Sequence, residues 1–296
     1  MLKFNHKVDK VYLTMDDTYY NKDIVQFIKE NRHDGMEVLY SITDNYDENI
    51  LYTMYSDLKD VVSHSIRVTP NNLSTNLITF CNTNKIPVCV DVQSDLSVFN
   101  NDMLLTVDKL FVTCSPNSTV SVRDILVFLD NYSKSKQKEF NFIISLDDEK
   151  ILESDSSCIH ELMMQFVTNP ESLTEFECGY VNSFLSRISY YKSYNEIFCR
   201  KNYPYVGRKT IQMSLDGKLY IPNGEFLCDI YSDLREYLNV YLKFGEDCSE
   251  RYVSKCMNCP IMYICDGEHL VDNSDDICTF NANLLSPILT TLLGGN

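Results

Sequence analysis

Four cysteines in the last fifty residues have the type and spacing to hold a metal. Cys256-Met-Asn-Cys259 is a C-x2-C knuckle, Cys265 follows after five residues and Cys278 after twelve more. A C-x2-C turn lets two thiolates face one metal while backbone amides point at the sulfurs. Cys265 and Cys278 complete four soft ligands, which suit either tetrahedral zinc or a four-iron, four-sulfur cluster, and the residues alone leave those two metals open.

The wider cysteine usage supports metal over disulfides. The start of the chain, MLKFNHKVDK, has no apolar signal-peptide run behind it, and nowhere do eighteen apolar residues occur together. The expectation is a cytoplasmic protein with no membrane segment, in which twelve cysteines are too many for a structural disulfide framework. They are also unevenly spread: Cys81, Cys89, Cys114, Cys158 and Cys178 are scattered, whereas Cys199, Cys228, Cys248 and the four of the knuckle region crowd the end. A net charge of −16 argues against nucleic acid as a partner, because each phosphate contact needs a Lys or Arg to displace a counterion.

Other chemistries find little support. No G-x-G-x-x-G or G-x-x-x-x-G-K-[ST] motif occurs, so dinucleotide and P-loop readings have no anchor. His33, His64 and His160 are isolated from any nucleophile and read as surface or core histidines. Asp16, Asp17, Asp91 and Asp95 offer carboxylates for acid and base work, in a chain where acidic loops are common.

The elements that must position these groups are legible in the apolar pattern. Six β-branched runs, Lys10 to Met15, Met36 to Thr43, His64 to Thr69, Ile86 to Val92, Lys109 to Cys114 and Glu139 to Leu146, predict strands. Helical periodicity separates most of them, over Tyr20 to Arg32, Asp47 to Ser63 and Ser121 to Lys134, and Ile151 to Lys192 reads as largely helical. This βα repeat predicts parallel strands with right-handed crossovers and ligand-binding residues at the strands' C-terminal ends. Those ends carry hydroxyls, carboxylates and amides, a pattern that solvated loops also produce. Further on, Ile211 to Ile221 predicts a hairpin turning at Asp216-Gly217, followed by a helix over Tyr231 to Phe244. Cysteine density sets a boundary near Asn195, with one domain over 1–195 and a second over 196–296.

From Cys199 to Phe280 the residues resemble the SPASM domains of radical-SAM peptide maturases. Cys199, the Asp216-Gly217 hairpin, Cys256, Cys259, Cys265 and Cys278 fall in that family's order. The resemblance implies one auxiliary 4Fe-4S cluster on Cys256, Cys259, Cys265 and Cys278. Where a second set of ligands would continue, Pro222 stands at the position of the post-glycine cysteine and His269 at that of a further cysteine. A second site would draw on Cys199, Cys228 and His269, joined by Cys248, since histidine replaces cysteine at some cluster irons.

By the same resemblance, the fold class is α/β: a partial (β/α)6 radical-SAM-like barrel followed by a small cysteine-rich SPASM-like domain with a β-hairpin. The chain departs from the family after its first strand, where Asp-Asp-Thr-Tyr-Tyr-Asn replaces the C-x3-C-x2-C of the catalytic cluster. Without three thiolates there no iron is left open to S-adenosylmethionine, so that cofactor and radical catalysis by this chain alone are not expected. The implied role is that of an accessory subunit, which binds or presents a ribosomally made precursor peptide to a separate catalytic modifying enzyme, an ATP-grasp ligase being one such partner. Two rivals remain: an iron–sulfur electron relay for a partner enzyme, and an interaction module held by structural zinc.

Overall fold

The computed structural model describes residues 1–4, 7–16, 20–100, 102–116, 119–144, 153–190, 210–220, 226–240 and 243. It is an α/β protein with a mostly parallel sheet. The described residues fall in two compact units, one drawn from 1–91, 106–111 and 203–247, the other from 92–105, 112–202 and 248–296.

In the first unit β1 (Lys10–Met15), β2 (Glu37–Ile42), β3 (Ser63–Val68) and β4 (Val88–Gln93) pair in parallel and in chain order. Between them stand α1 (Lys22–Asn31), α2 (Glu48–Leu58) and α3 (Thr75–Asn84). Each helix starts where a side chain takes up an otherwise unpaired amide: Asn21 accepts from Asp23 N at 2.9 Å, Asp47 from Asn49 N at 2.7 Å and Ser74 from Leu77 N at 3.1 Å. The helix α3 ends on Lys85, left-handed at φ 55°. Past β4 the Lys109 carbonyl accepts from Val88 N at 3.0 Å and leads into β5 (Leu110–Cys114).

On the other side of β1 lies β7 (Thr210–Ser214), parallel to it with Tyr12 opposite Gln212 and Thr14 opposite Ser214. It turns into β8 (Lys218–Tyr220), and β9 (Phe226–Asp229) follows antiparallel. The hairpin falls where the Asp-Gly pair places it. Its loop is Leu215, Asp216 and Gly217, closed by Gly217 N donating to Ser214 O at 3.0 Å, with Gly217 left-handed at φ +88°.

The second unit holds β6 (Asn141–Ile144) beside the end of β5, with Ser115 N donating to Gln93 O at 3.0 Å. Here α4 (Val122–Lys136), α5 (Glu153–Thr168) and α6 (Glu175–Tyr190) pack on one another. A capping box between Ser121 and Asp124 starts α4. Aromatic rings bind this unit together: Phe99 lies 4.8 Å from Tyr132 and 5.2 Å from Phe128, and Phe176 lies 5.1 Å from Phe142. No described helix is long and apolar enough to cross a membrane.

Burial alternates along the first unit's strands. Val11, Leu13 and Met15 of β1, Val38, Tyr40 and Ile42 of β2, Ile66 and Val68 of β3, Val88 and Val90 of β4, and Ile211 and Met213 of β7 are all buried on one face. Right-handed crossovers between strands that advance in one direction put α1, α2 and α3 over that same face, and their Ile24, Phe27, Ile28, Leu51, Met54 and Leu77 are buried with it. The opposite residues of each strand are mostly half-exposed.

The hairpin generates a test. A Cβ at Gly217 would force an L-residue into the left-handed region and sit 3.0 Å from the Ile230 side chain. Gly217→Ala is expected to lower unfolding free energy by about 1–2 kcal/mol, read from the urea midpoint at unchanged slope.

Candidate functional site

Among the described residues, polar side chains from many strands line up on the half-exposed face of the first unit, and the register puts them in rows. One row runs Lys218, Ser214, Thr14, Ser41, Arg67 and Cys89 across β8, β7, β1, β2, β3 and β4. The next runs Phe226, Tyr220, Gln212, Tyr12, Leu39 and Ser65. A third holds Thr210, Lys10, Glu37 and Ser63.

Ion pairs stiffen the face. Lys10 Nζ meets Glu37 Oε2 at 2.8 Å, and the Ser65 hydroxyl donates to the other Glu37 oxygen. The Lys10 ammonium also lies 5.7 Å from the centre of the Tyr12 ring. Arg67 Nη2 reaches Asp91 Oδ2 at 2.5 Å, with the arginine side chain 44% exposed and the aspartate 18%. At the turn Lys218 Nζ meets Asp216 Oδ2 at 2.5 Å, and the Ser214 hydroxyl donates to the same carboxylate. Lys218 and that hydroxyl together hold the Asp216 carboxyl below its usual range. The result is a locally balanced surface of hydroxyls, amide and rings within a strongly acidic chain. It can hydrogen-bond and stack on an extended ligand, and it presents no nucleophile and base pair among the described residues.

Near the strand ends several polar side chains tie loops together. Thr43 Oγ1 donates to Met15 O at 2.7 Å, Asn72 to Asp44 at 2.8 Å, and Ser74 and Tyr46 to Glu48 at 3.0 and 3.3 Å. Burial, the Glu48 charge and their hydrogen bond push the Tyr46 phenol up to about 12. The carboxylates suggested for acid and base work are likewise occupied: Asp91 by Arg67, and Asp95 by the Ser97 amide at 3.0 Å. Asp17 lies outside the described residues.

Of the metal candidates, Cys256, Cys259, Cys265 and Cys278, with Cys199, Cys248 and His269, lie outside the described residues. Cys228 is described, fully buried in β9 opposite Leu219. Burial, then the charges of Glu236 and Asp229, push its thiol up to about 12. Among the described residues Cys81, Cys89, Cys114, Cys158, Cys178 and Cys228 form no disulfide. Among the described residues no group of three His, Cys, Asp or Glu side chains converges on a metal position.

The residues of this face that sequence reasoning passed over are Tyr12, Ser41, Ser65, Arg67 and Gln212. Their signal was present: a parallel sheet covered on both faces reads as continuous apolar runs, whereas polar residues at every second position mark an uncovered face. No protein-family model and no curated protein sequence matches the chain.

His64 stands on the covered face, not the open one. It lies 4.8 Å from the Tyr55 ring and 5.8 Å from Tyr40, whose hydroxyl is 3.1 Å from Nδ1. Its Nε2 is buried with no well-aligned partner, and the Leu58 carbonyl, which already accepts from Val61 N at 2.8 Å, only partly opposes the desolvation that lowers its pKa. The unfolded chain therefore binds a proton at His64 more readily than the folded one. Stability from this residue is complete above its ordinary value of 6.5 and is lost as pH falls below it. Urea titrations between pH 7.5 and 5.5 are expected to show falling stability in the wild type and a flatter profile in His64→Phe.

Proposed function

We propose that this chain is an accessory subunit in the maturation of a ribosomally made peptide: it holds the precursor on the open sheet face and presents it to a separate catalytic enzyme. The observation that carries the reading is that face, with hydroxyl, amide and aromatic side chains in register over six strands and, among the described residues, no catalytic pair beside them. The strand order β1, β2, β3, β4, advancing one way, supports a sheet that is the wall of a radical-SAM-like partial barrel with the open face inside. The first-strand loop, with no cysteine, fits a scaffold that leaves the chemistry to a partner.

The C-terminal cysteines complete the proposal. Cys256, Cys259, Cys265 and Cys278 form a donor set of four thiolates that fits an iron–sulfur cluster, which when bound supplies a fixed fold and an electron store. The net charge of −16 favours a basic leader, drawn in by long-range attraction and released from it as salt rises.

A titration with the precursor peptide tests the binding face. Thr14 stands in the middle of the longest polar row, so Thr14→Arg is expected to weaken binding by about tenfold or more, whereas Ser56→Arg, on an exposed turn of α2, leaves it near the wild-type value. Equal binding by both variants would place the peptide elsewhere on the chain.

A further inference from the structure

Arg67, on the open face, carries more donors than it has partners among the described residues. A guanidinium carries five N–H groups in a rigid fork that matches a carboxylate. Only Nη2 is engaged, by Asp91, and no other acceptor lies within hydrogen-bond distance among the described residues. Asp91 is the more buried of the two, so it holds the guanidinium from beneath while the arginine is 44% exposed.

The neighbours extend the pattern. Ser41 stands opposite Arg67 on β2, Thr14 opposite Ser41 on β1 and Ser214 opposite Thr14 on β7, so a line of hydroxyls leads up to the fork. At the far side Tyr220 and Phe226 lie 5.8 Å apart edge to face, with Phe226 51% exposed. Four strand spacings separate β8 from β3, roughly 19 Å, which about six extended residues would span.

We propose that Arg67, positioned by Asp91, is the receptor for a carboxylate of the bound peptide, a chain terminus or an acidic side chain, with the peptide lying across the strands and an aromatic or apolar residue on Tyr220 and Phe226. This rests on the peptide-binding reading above. Arg67 selects the end of the ligand that the hydroxyl row does not distinguish, because a carboxylate accepts two parallel hydrogen bonds from the fork with the opposite charge, whereas an amide offers one neutral carbonyl oxygen.

The test uses two synthetic probes on the full chain, acetyl-Phe-Gly-Ser-Gly-Ser-Gly as the free acid and as the amide, titrated by nuclear magnetic resonance. The free acid is expected to bind about tenfold tighter than the amide. Arg67→Gln should bring the acid down to the amide's level, Arg67→Lys should keep part of the preference, and both should retain the wild-type circular dichroism. Acetate, competing on the unsubstituted protein, should displace the acid and not the amide, which reads the same site even if the Arg67 variants fold poorly. Equal binding of acid and amide to the wild type would overturn the carboxylate receptor and leave peptide binding standing. Failure of both probes and of the precursor to bind would overturn both.

Discussion

The parallel register of β7, β1, β2, β3 and β4 is the constraint on which the first unit depends. Side chains alternate across a strand with a period of two, so sliding any one strand by a single residue would move Val11, Leu13 and Met15, or Ile66 and Val68, from the helix-covered face to water. Each such residue removes apolar area from water, at about 25 cal/mol per Å2, and their sum over five strands holds the register. The open face is the other side of the same constraint. Once the buried residues are aligned, Ser214, Thr14, Ser41 and Arg67 must also be aligned, and a row of polar groups exists without any direct interaction among them to form it.

Much of this was legible in the sequence, and the reasons for the rest are physical. The strands β1 to β5 fall within two residues of their expected limits because each is a compact apolar run bounded by turn residues. The shorter β6, Asn141–Ile144, has a weak apolar pattern and an exposed Ile143. Two 3-10 turns, Leu96–Asn100 and Asp102–Thr106, stand between β4 and β5, where no strong helical period exists to be read. The helix expected over Tyr231 to Phe244 is described over 234–240. The Asp-Gly turn was legible, but the pairing of β7 with β1 was not, since nothing local in Thr210–Ser214 selects a partner from the other end of the chain. Cysteine spacing likewise does not show local surroundings: Cys228, grouped by position with a second metal site, is buried opposite Leu219, and the other residues of that group lie outside the described residues.

The two halves of the functional reading rest on different physics. A peptide on the open face would be held by many modest hydrogen bonds, ring contacts and one strong oxyanion fork, which suits a presenting surface better than a reaction centre. Some polar residues near the strand ends fasten loops, and the open face carries polar side chains in register across neighbouring strands. On the proposed reading, chemistry on the peptide falls to another protein, and the negative charge of the chain would gather a basic leader toward both.

That division stands on the C-terminal thiolates holding an auxiliary cluster in a scaffold with no cysteines to hold a catalytic one. Iron, acid-labile sulfide and zinc measured on anaerobically purified wild type and Cys259→Ala, with absorption spectra, test it most directly. The account predicts about four irons and four sulfides per chain in the wild type, with the cluster's broad absorption lost in the variant. One zinc without sulfide, or no metal at all, would contradict it.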